Sequence, residues 1–187
     1  MYGLVNSALQ EFVVARHGEG VWQRIRERAG VRAEPFVTMK TYPDSLTYDL
    51  VGAACTELGL DGEVFLAELG VFWIQYASDR GYGSLMNLAG NSLFEFLQNL
   101  DAMHARVALS YPELKPPSFR CTEVTPDSAT LHYYSHRPGL LPFVRGLLSG
   151  LADRFSVRIE VTTTPRGADG ADHDQLHIRV LSQGSVR

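Results

Sequence analysis

The hydrophobic period of this chain changes once, and the change falls at a cluster of prolines. Up to about Ser110, apolar residues recur three and four positions apart, the period of a helix with one buried face. Pro112, Pro116 and Pro117 then remove backbone donors and force a loop. Beyond them the segments are short, alternate differently and are bounded by turn residues, as strands are. The order of the two patterns predicts an α+β fold: a helical part, then a four-stranded antiparallel sheet with one packed helix.

In the first part, Leu4, Val5, Ala8, Leu9, Phe12 and Val13 predict a helix stopped by Gly18, and "VWQRIRERAG" a second ending at Gly30. Asp44 or Ser45 is placed to cap a third, running to about Gly59. "GEVFLAELGVFWIQYAS" predicts a fourth, closed by Gly81 and Gly83, and a short helix follows over 84–88. Ser92 with Glu95 three residues on has capping-box spacing and opens a long helix to about Ser110. The second part predicts strands over 118–124, 128–136, 156–163 and 175–181, a helix over 139–154, and a hairpin loop at "PRGADGADHD".

Composition narrows the function. A net charge of -4, a pI near 5.8 and the lack of a dense Lys/Arg cluster argue against nucleic acid as a partner. No apolar run reaches the roughly 18 residues of a membrane span, so no membrane insertion is expected. "MYGLVNSALQEF" lacks the basic start of a signal peptide. Cys55 and Cys121 are too few for a disulfide framework and have no zinc spacing, which points to reduced thiols in a cytoplasmic protein.

Two local anomalies remain. On the helix "SLFEFLQNLDAMHARVALS", Leu93, Phe96, Leu97, Leu100, His104 and Val107 share one face; five of these six are apolar and the other is an imidazole. A lone histidine there is ordinarily a hydrogen-bonded core residue; the other reading is an axial ligand to a metal in an apolar slot, as in a haem site. The second anomaly is "LHYYSHR". As a strand it would put Tyr133, Ser135 and Arg137 on one face and His132, Tyr134 and His136 on the other, with no apolar side. Two hydroxyls and a guanidinium on one face suit a pair of carboxylates; a solvated sheet face is the plainer alternative. A hydrolase built on Ser135 is disfavoured, because there is no GxSxG elbow and His132 and His136 point away. Asp169, Asp172, His173 and Asp174 do not have EF-hand spacing.

The residues around both anomalies resemble the H-NOX (haem nitric oxide/oxygen binding) family. The shared features are "NLDAMHARV" with His104, the YxSxR motif 29 residues after it as Tyr133, Ser135 and Arg137, and the stretches "MYGLVN", "YDLVGAA" and "YPELKPPSFRC". The resemblance implies a single domain over 1–182, helical to about 62 and haem-anchoring over 63–182, with 183–187 as a tail. It implies one haem b buried between the parts, ligated by His104, with its propionates on Tyr133, Ser135 and Arg137 and with Pro117 pressing on the porphyrin. Met1 and Leu100 join the cofactor contacts, and Val5, Trp73, Phe143 and Leu148 line the distal side. Oxygen-binding members carry a tyrosine on the helix after YxSxR, and "PGLLPFVRGLLSGL" has none. Nitric oxide and carbon monoxide, not oxygen, are therefore the expected ligands. The resemblance further implies that nitric oxide loosens His104 from iron and shifts its helix. With no cyclase or kinase in the chain, the signal is expected to pass to a separate histidine kinase or diguanylate cyclase. A binding module of the same fold, holding a tetrapyrrole or apolar ligand without gas chemistry, is the alternative.

Overall fold

The apolar residues of the chain separate into two cores. The computed structural model describes residues 1–32, 35–111 and 113–183; Pro112 and most of the expected tail lie outside them. The first core is helical. It is formed by α1 (Gly3–His17), α2 (Glu19–Arg28), α3 (Asp44–Leu58) and one side of α4 (Gly62–Ala77), and contains Leu9, Phe12, Trp22, Ile25, Leu50 and Phe65. α4 starts as its sequence dictates, with the Asp61 carboxylate accepting from the backbone N–H of Glu63 and Val64.

Between α4 and α5 (Gly83–Ala89) the chain makes one π turn, Ser78–Tyr82, in which Gly81 takes φ 96°. Only a residue without Cβ adopts that conformation cheaply, and this is why the glycines end the α4 pattern here. The single long helix expected over 92–110 is two: α6 (Leu93–Gln98) and α7 (Leu100–Ala108). Asn99 breaks it, with φ -97° and ψ 2°, while its side-chain amide donates to the Ala89 carbonyl at 2.9 Å. An asparagine that finds a backbone partner outside its own helix competes with helix continuation. Ser92 accepts from the Glu95 N–H as expected, and the Glu95 carboxylate reaches back to Asn91 N–H rather than to Ser92.

The second core lies between α6, α8 (Leu141–Arg154) and one face of a four-stranded antiparallel sheet. The strands are β1 (Ser118–Thr122), β2 (Ser128–Tyr134), β3 (Val157–Thr164) and β4 (Asp174–Gln183), in the order β1-β2-β4-β3. Phe119 pairs with Tyr133, and Leu131 with both Cys121 and Leu176. This register places Phe119, Cys121, Ala129, Leu131, Tyr133, Leu176 and Ile178 on the core side. β2 is thus two-faced after all: Leu131 and Tyr133 are buried, at 1% and 3% exposure. Tyr133 hides its ring, which a polarity pattern counted as a hydroxyl does not reveal.

The two cores meet where α4 crosses α8. A Cβ at Gly70 would strike the Phe143 carbonyl, one at Gly146 the Ala67 carbonyl, and one at Gly150 the Ile74 side chain and Val71 carbonyl. Backbone therefore lies on backbone along this crossing. Gly146→Ala should force the helices apart and cost about 1–3 kcal/mol, read as a fall of several degrees in Tm; a change within about 1 °C would show that the crossing yields freely.

Candidate functional site

His104 sits midway along α7 and is part-buried, its ring 5.9 Å from that of Phe119 on β1. Phe119 in turn stacks on Tyr133 at 5.4 Å. The rings of the two anomalous sequence features are thereby joined through one residue that neither of them contains. The His104 Nδ1 atom is buried and, among the described residues, has no hydrogen-bond partner. Burial outweighs the nearby Asp101 charge and pushes the imidazole pKa below its ordinary value, which keeps the ring neutral. A neutral imidazole in apolar surroundings with an unused nitrogen is the donor that an iron porphyrin requires. The core-residue alternative predicts a hydrogen-bonded ring, and among the described residues Nδ1 makes no such bond.

α7 is tied to β1 by Asp101. One carboxylate oxygen accepts from the Phe119 N–H at 2.7 Å and the other from the Ser118 hydroxyl at 2.8 Å. Pro117, half-buried, is the residue before that strand. Leu100 opens α7 and is buried in the second core with Leu148 of α8.

Ser135 and Arg137 are not on a strand face. β2 stops at Tyr134, two residues before the expected end, because the Ser135 hydroxyl accepts from the Arg137 N–H at 3.1 Å and closes a turn. The turn swings Arg137 onto α3. Its Nε donates to one Asp44 oxygen at 2.8 Å, and its Nη1 to the Lys115 carbonyl at 2.8 Å. Asp44 also accepts from the Met1 ammonium at 2.6 Å. Asp44 is therefore not the helix cap expected from sequence but a junction between chain start, α3 and turn. Partial burial raises its pKa, yet the hydrogen bonds from Met1 and Arg137 and then their charges outweigh this and lower it. One turn along α3, the Tyr48 hydroxyl donates to the Pro138 carbonyl at 2.9 Å. The guanidinium that should grip carboxylates grips one here.

The expected distal residues are only partly assembled. Trp73 on α4 meets Phe143 on α8 edge to face at 6.2 Å. Leu148 lies in the second core and Val5, half-buried on α1, belongs to neither core. Both cysteines are free and half-buried, and burial raises their thiol pKa values. Among the described residues no group of three or more His, Cys, Asp or Glu side chains is arranged for a metal ion, and no described helix is long and apolar enough to cross a membrane.

The model of the haem-NO-binding family matches residues 2–163. The chain belongs to that family. It is 30% identical to soluble guanylate cyclase gcy-32 of Caenorhabditis elegans over 170 residues, covering 89% of this chain and 25% of the relative. It is 26% identical to soluble guanylate cyclase 89Db of Drosophila melanogaster over 155 residues, covering 83% and 23%. The chain thus spans about a quarter of the length of these cyclases. Its fold is that of an H-NOX protein from S. oneidensis solved in the Fe(II) state, with a TM-score of 0.88, 23% identity and all of both chains covered. The same protein's Fe(II)NO structure gives 0.87, also at 23% identity, over 97% of this chain and 100% of that one.

Asp44, Asp101, Phe119 and Tyr48 are the residues that sequence reasoning missed. Asp44 was legible only as a helix start, and the others gave no signal, since each acts on a partner remote in sequence.

His104 gives a test of its own environment. Its folded pKa is depressed, so unfolding takes up a proton between the folded value and the ordinary value of about 6.5. That contribution to stability is fully present above about pH 6.5 and is lost as pH falls toward the folded pKa. The haem-free protein should lose Tm between about pH 7 and pH 5, and His104→Gln should lose less over the same interval.

Proposed function

We propose that this H-NOX domain is a ferrous-haem gas sensor that takes nitric oxide and carbon monoxide and not oxygen. The observation that carries this is the buried His104 Nδ1, which has no hydrogen-bond partner among the described residues and whose ring is joined through Phe119 to Tyr133 and hence to the YxSxR turn. The donor set fits haem b: one neutral imidazole for iron, and Tyr133, Ser135 and Arg137 for two propionates. When bound, haem supplies an open iron position for a diatomic gas. His104 would hold the iron, and because burial keeps its ring neutral it would offer an unprotonated nitrogen without first losing a proton.

On the gas side Val5, Trp73, Phe143 and Leu148 offer apolar surface, and the indole N–H of Trp73 is the one hydrogen-bond donor among these four. α8 has no tyrosine. Bound oxygen draws electron density from iron and needs a donor, whereas nitric oxide and carbon monoxide do not. Met1, Leu100 and Pro117 complete the cofactor contacts. Signal output follows from attachment: Asp101 links α7 to β1, so displacement of His104 strains the joint between α7 and the sheet. We assign that output to a separate cytoplasmic partner, a histidine kinase or a diguanylate cyclase, and take residues 1–182 as one functional unit.

The purified ferrous protein should show a Soret band that moves with carbon monoxide and with nitric oxide, and no stable oxy spectrum in air. An unmoved band, or no band, would favour the alternative of a binding module without gas chemistry. Arg137→Ala removes charge-assisted hydrogen bonds worth about 1.5–3 kcal/mol, so haem should leave roughly ten- to a hundredfold faster; an unchanged rate would remove Arg137 from the site. His104→Gly should abolish the partner's response to nitric oxide while imidazole restores haem binding.

A further inference from the structure

The outer face of β2 carries His132 and Tyr134, which no part of the haem reading uses. Both are covered by the loop joining β3 to β4, residues 165–173. His173 stacks on Tyr134 at 4.2 Å and shares a 2.8 Å hydrogen bond with His132. From the loop's other end, the Arg166 guanidinium donates to the Ser135 carbonyl at 3.1 Å, while its backbone N–H is held by Asp174 at 2.8 Å. The loop thus grips both β2 and the Ser135–Arg137 turn from behind.

The hydrogen bonds specify how protons sit. The Asp172 carboxylate accepts from His173 Nδ1 at 2.7 Å. A neutral His173 then has only Nε2 free, as an acceptor, so His132 Nδ1 must donate to it. This leaves His132 Nε2 to accept from the Thr122 hydroxyl at 2.8 Å. One added proton can be accommodated: His173 becomes doubly protonated and donates to His132 Nδ1, while His132 Nε2 donates to the Thr122 oxygen. Every bond survives with its direction reversed beyond His173. A second proton puts N–H against N–H and two positive charges side by side, and the contact cannot survive.

We propose that residues 165–173 form a strap that positions the carboxylate-gripping turn, latched by a His132–His173 pair that accepts one proton and rejects a second. The strap rests on the assignment of Ser135 and Arg137 to the cofactor's carboxylates. His132, His173 and Arg166 are positioning residues, acting through Tyr134 and the Ser135 carbonyl. The charged and titratable groups facing His132 are His173 and, next to it, Asp172 on the loop, Arg120 on β1, Glu123 beyond it and His177 on β4. Burial first, then His173 and Arg120, hold the His132 pKa below its ordinary value, and Glu123 opposes them. Glu123 and His177 are in turn bridged by the Thr130 hydroxyl, at 2.7 Å and 3.2 Å.

The test has two arms on the full chain. Imidazole nitrogen NMR should show His132 changing from the Nδ1–H to the Nε2–H form as the pair takes its first proton, and the second proton binding in a separate step at lower pH. Two independent titrations without a tautomer change would overturn the latch. The second arm measures haem transfer to a scavenging apoprotein, with amide exchange of Arg137 beside it. His173→Ala should speed haem loss about tenfold, the effect of one lost hydrogen bond, and speed Arg137 exchange. H173Q, which retains an acceptor for His132, should restore most of the retention but lack the wild-type rise in haem loss at the second protonation. Wild-type haem loss and Arg137 exchange in both variants at every pH would overturn the strap. If the protein takes up no haem, the haem assignment fails, while NMR and amide exchange still decide the latch and strap.

Discussion

The crossing of α4 on α8 is the constraint on which the rest of the molecule depends. Gly70, Gly146 and Gly150 let the two backbones touch, and any side chain between them would separate the cores. Phe143 packs with the helical core and Leu148, little more than a turn later on the same helix, with the sheet core. Because α8 belongs to both, its closeness to α4 fixes where Trp73 and Phe143 meet and how the N-terminal helices face the sheet. A backbone contact is a stiff joint, since it has no rotamers through which to relax.

Around that joint run two chemically different links, one within the sheet part and one from it to the N-terminal helices. One is apolar and runs through rings, from His104 to Phe119 to Tyr133. The other is ionic, from Arg137 to Asp44 to Met1. The first surrounds a nitrogen that has no hydrogen-bond partner among the described residues, and the second presents a guanidinium already in carboxylate geometry. Metal ligation and carboxylate recognition need these opposite environments, one dry and one charged. On the proposed reading the YxSxR segment would meet both needs because β2 ends at Tyr134: Tyr133 stays in the core, and the serine turn directs the arginine outward.

The same turn explains why a strand reading of "LHYYSHR" was half right. Alternation placed His132 and Tyr134 opposite Tyr133 correctly, and the outer pair proved to be the seat of the 165–173 loop. Alternation failed for Ser135 and Arg137, where a hydroxyl captured a backbone donor and ended the period. The break at Asn99 has the same cause, a polar side chain offering or seeking a backbone bond outside the regular ladder. Such events are decided by which partner lies near in space, and hydrophobic spacing does not record it.

By itself the sequence determined the order of helices and strands, the oddity of His104 on its apolar face, and the spacing from His104 to Tyr133, Ser135 and Arg137. Those are properties of neighbours along the chain, where burial imposes periods of 3.6 and 2. Only the tertiary structure decided that Asp44 meets Arg137, 93 positions away, that Phe119 joins His104 to Tyr133, and that His173 covers the back of β2. Each of these pairs is brought together by packing of elements that have no local reason to be adjacent, and packing is a property of shape and volume across the whole chain.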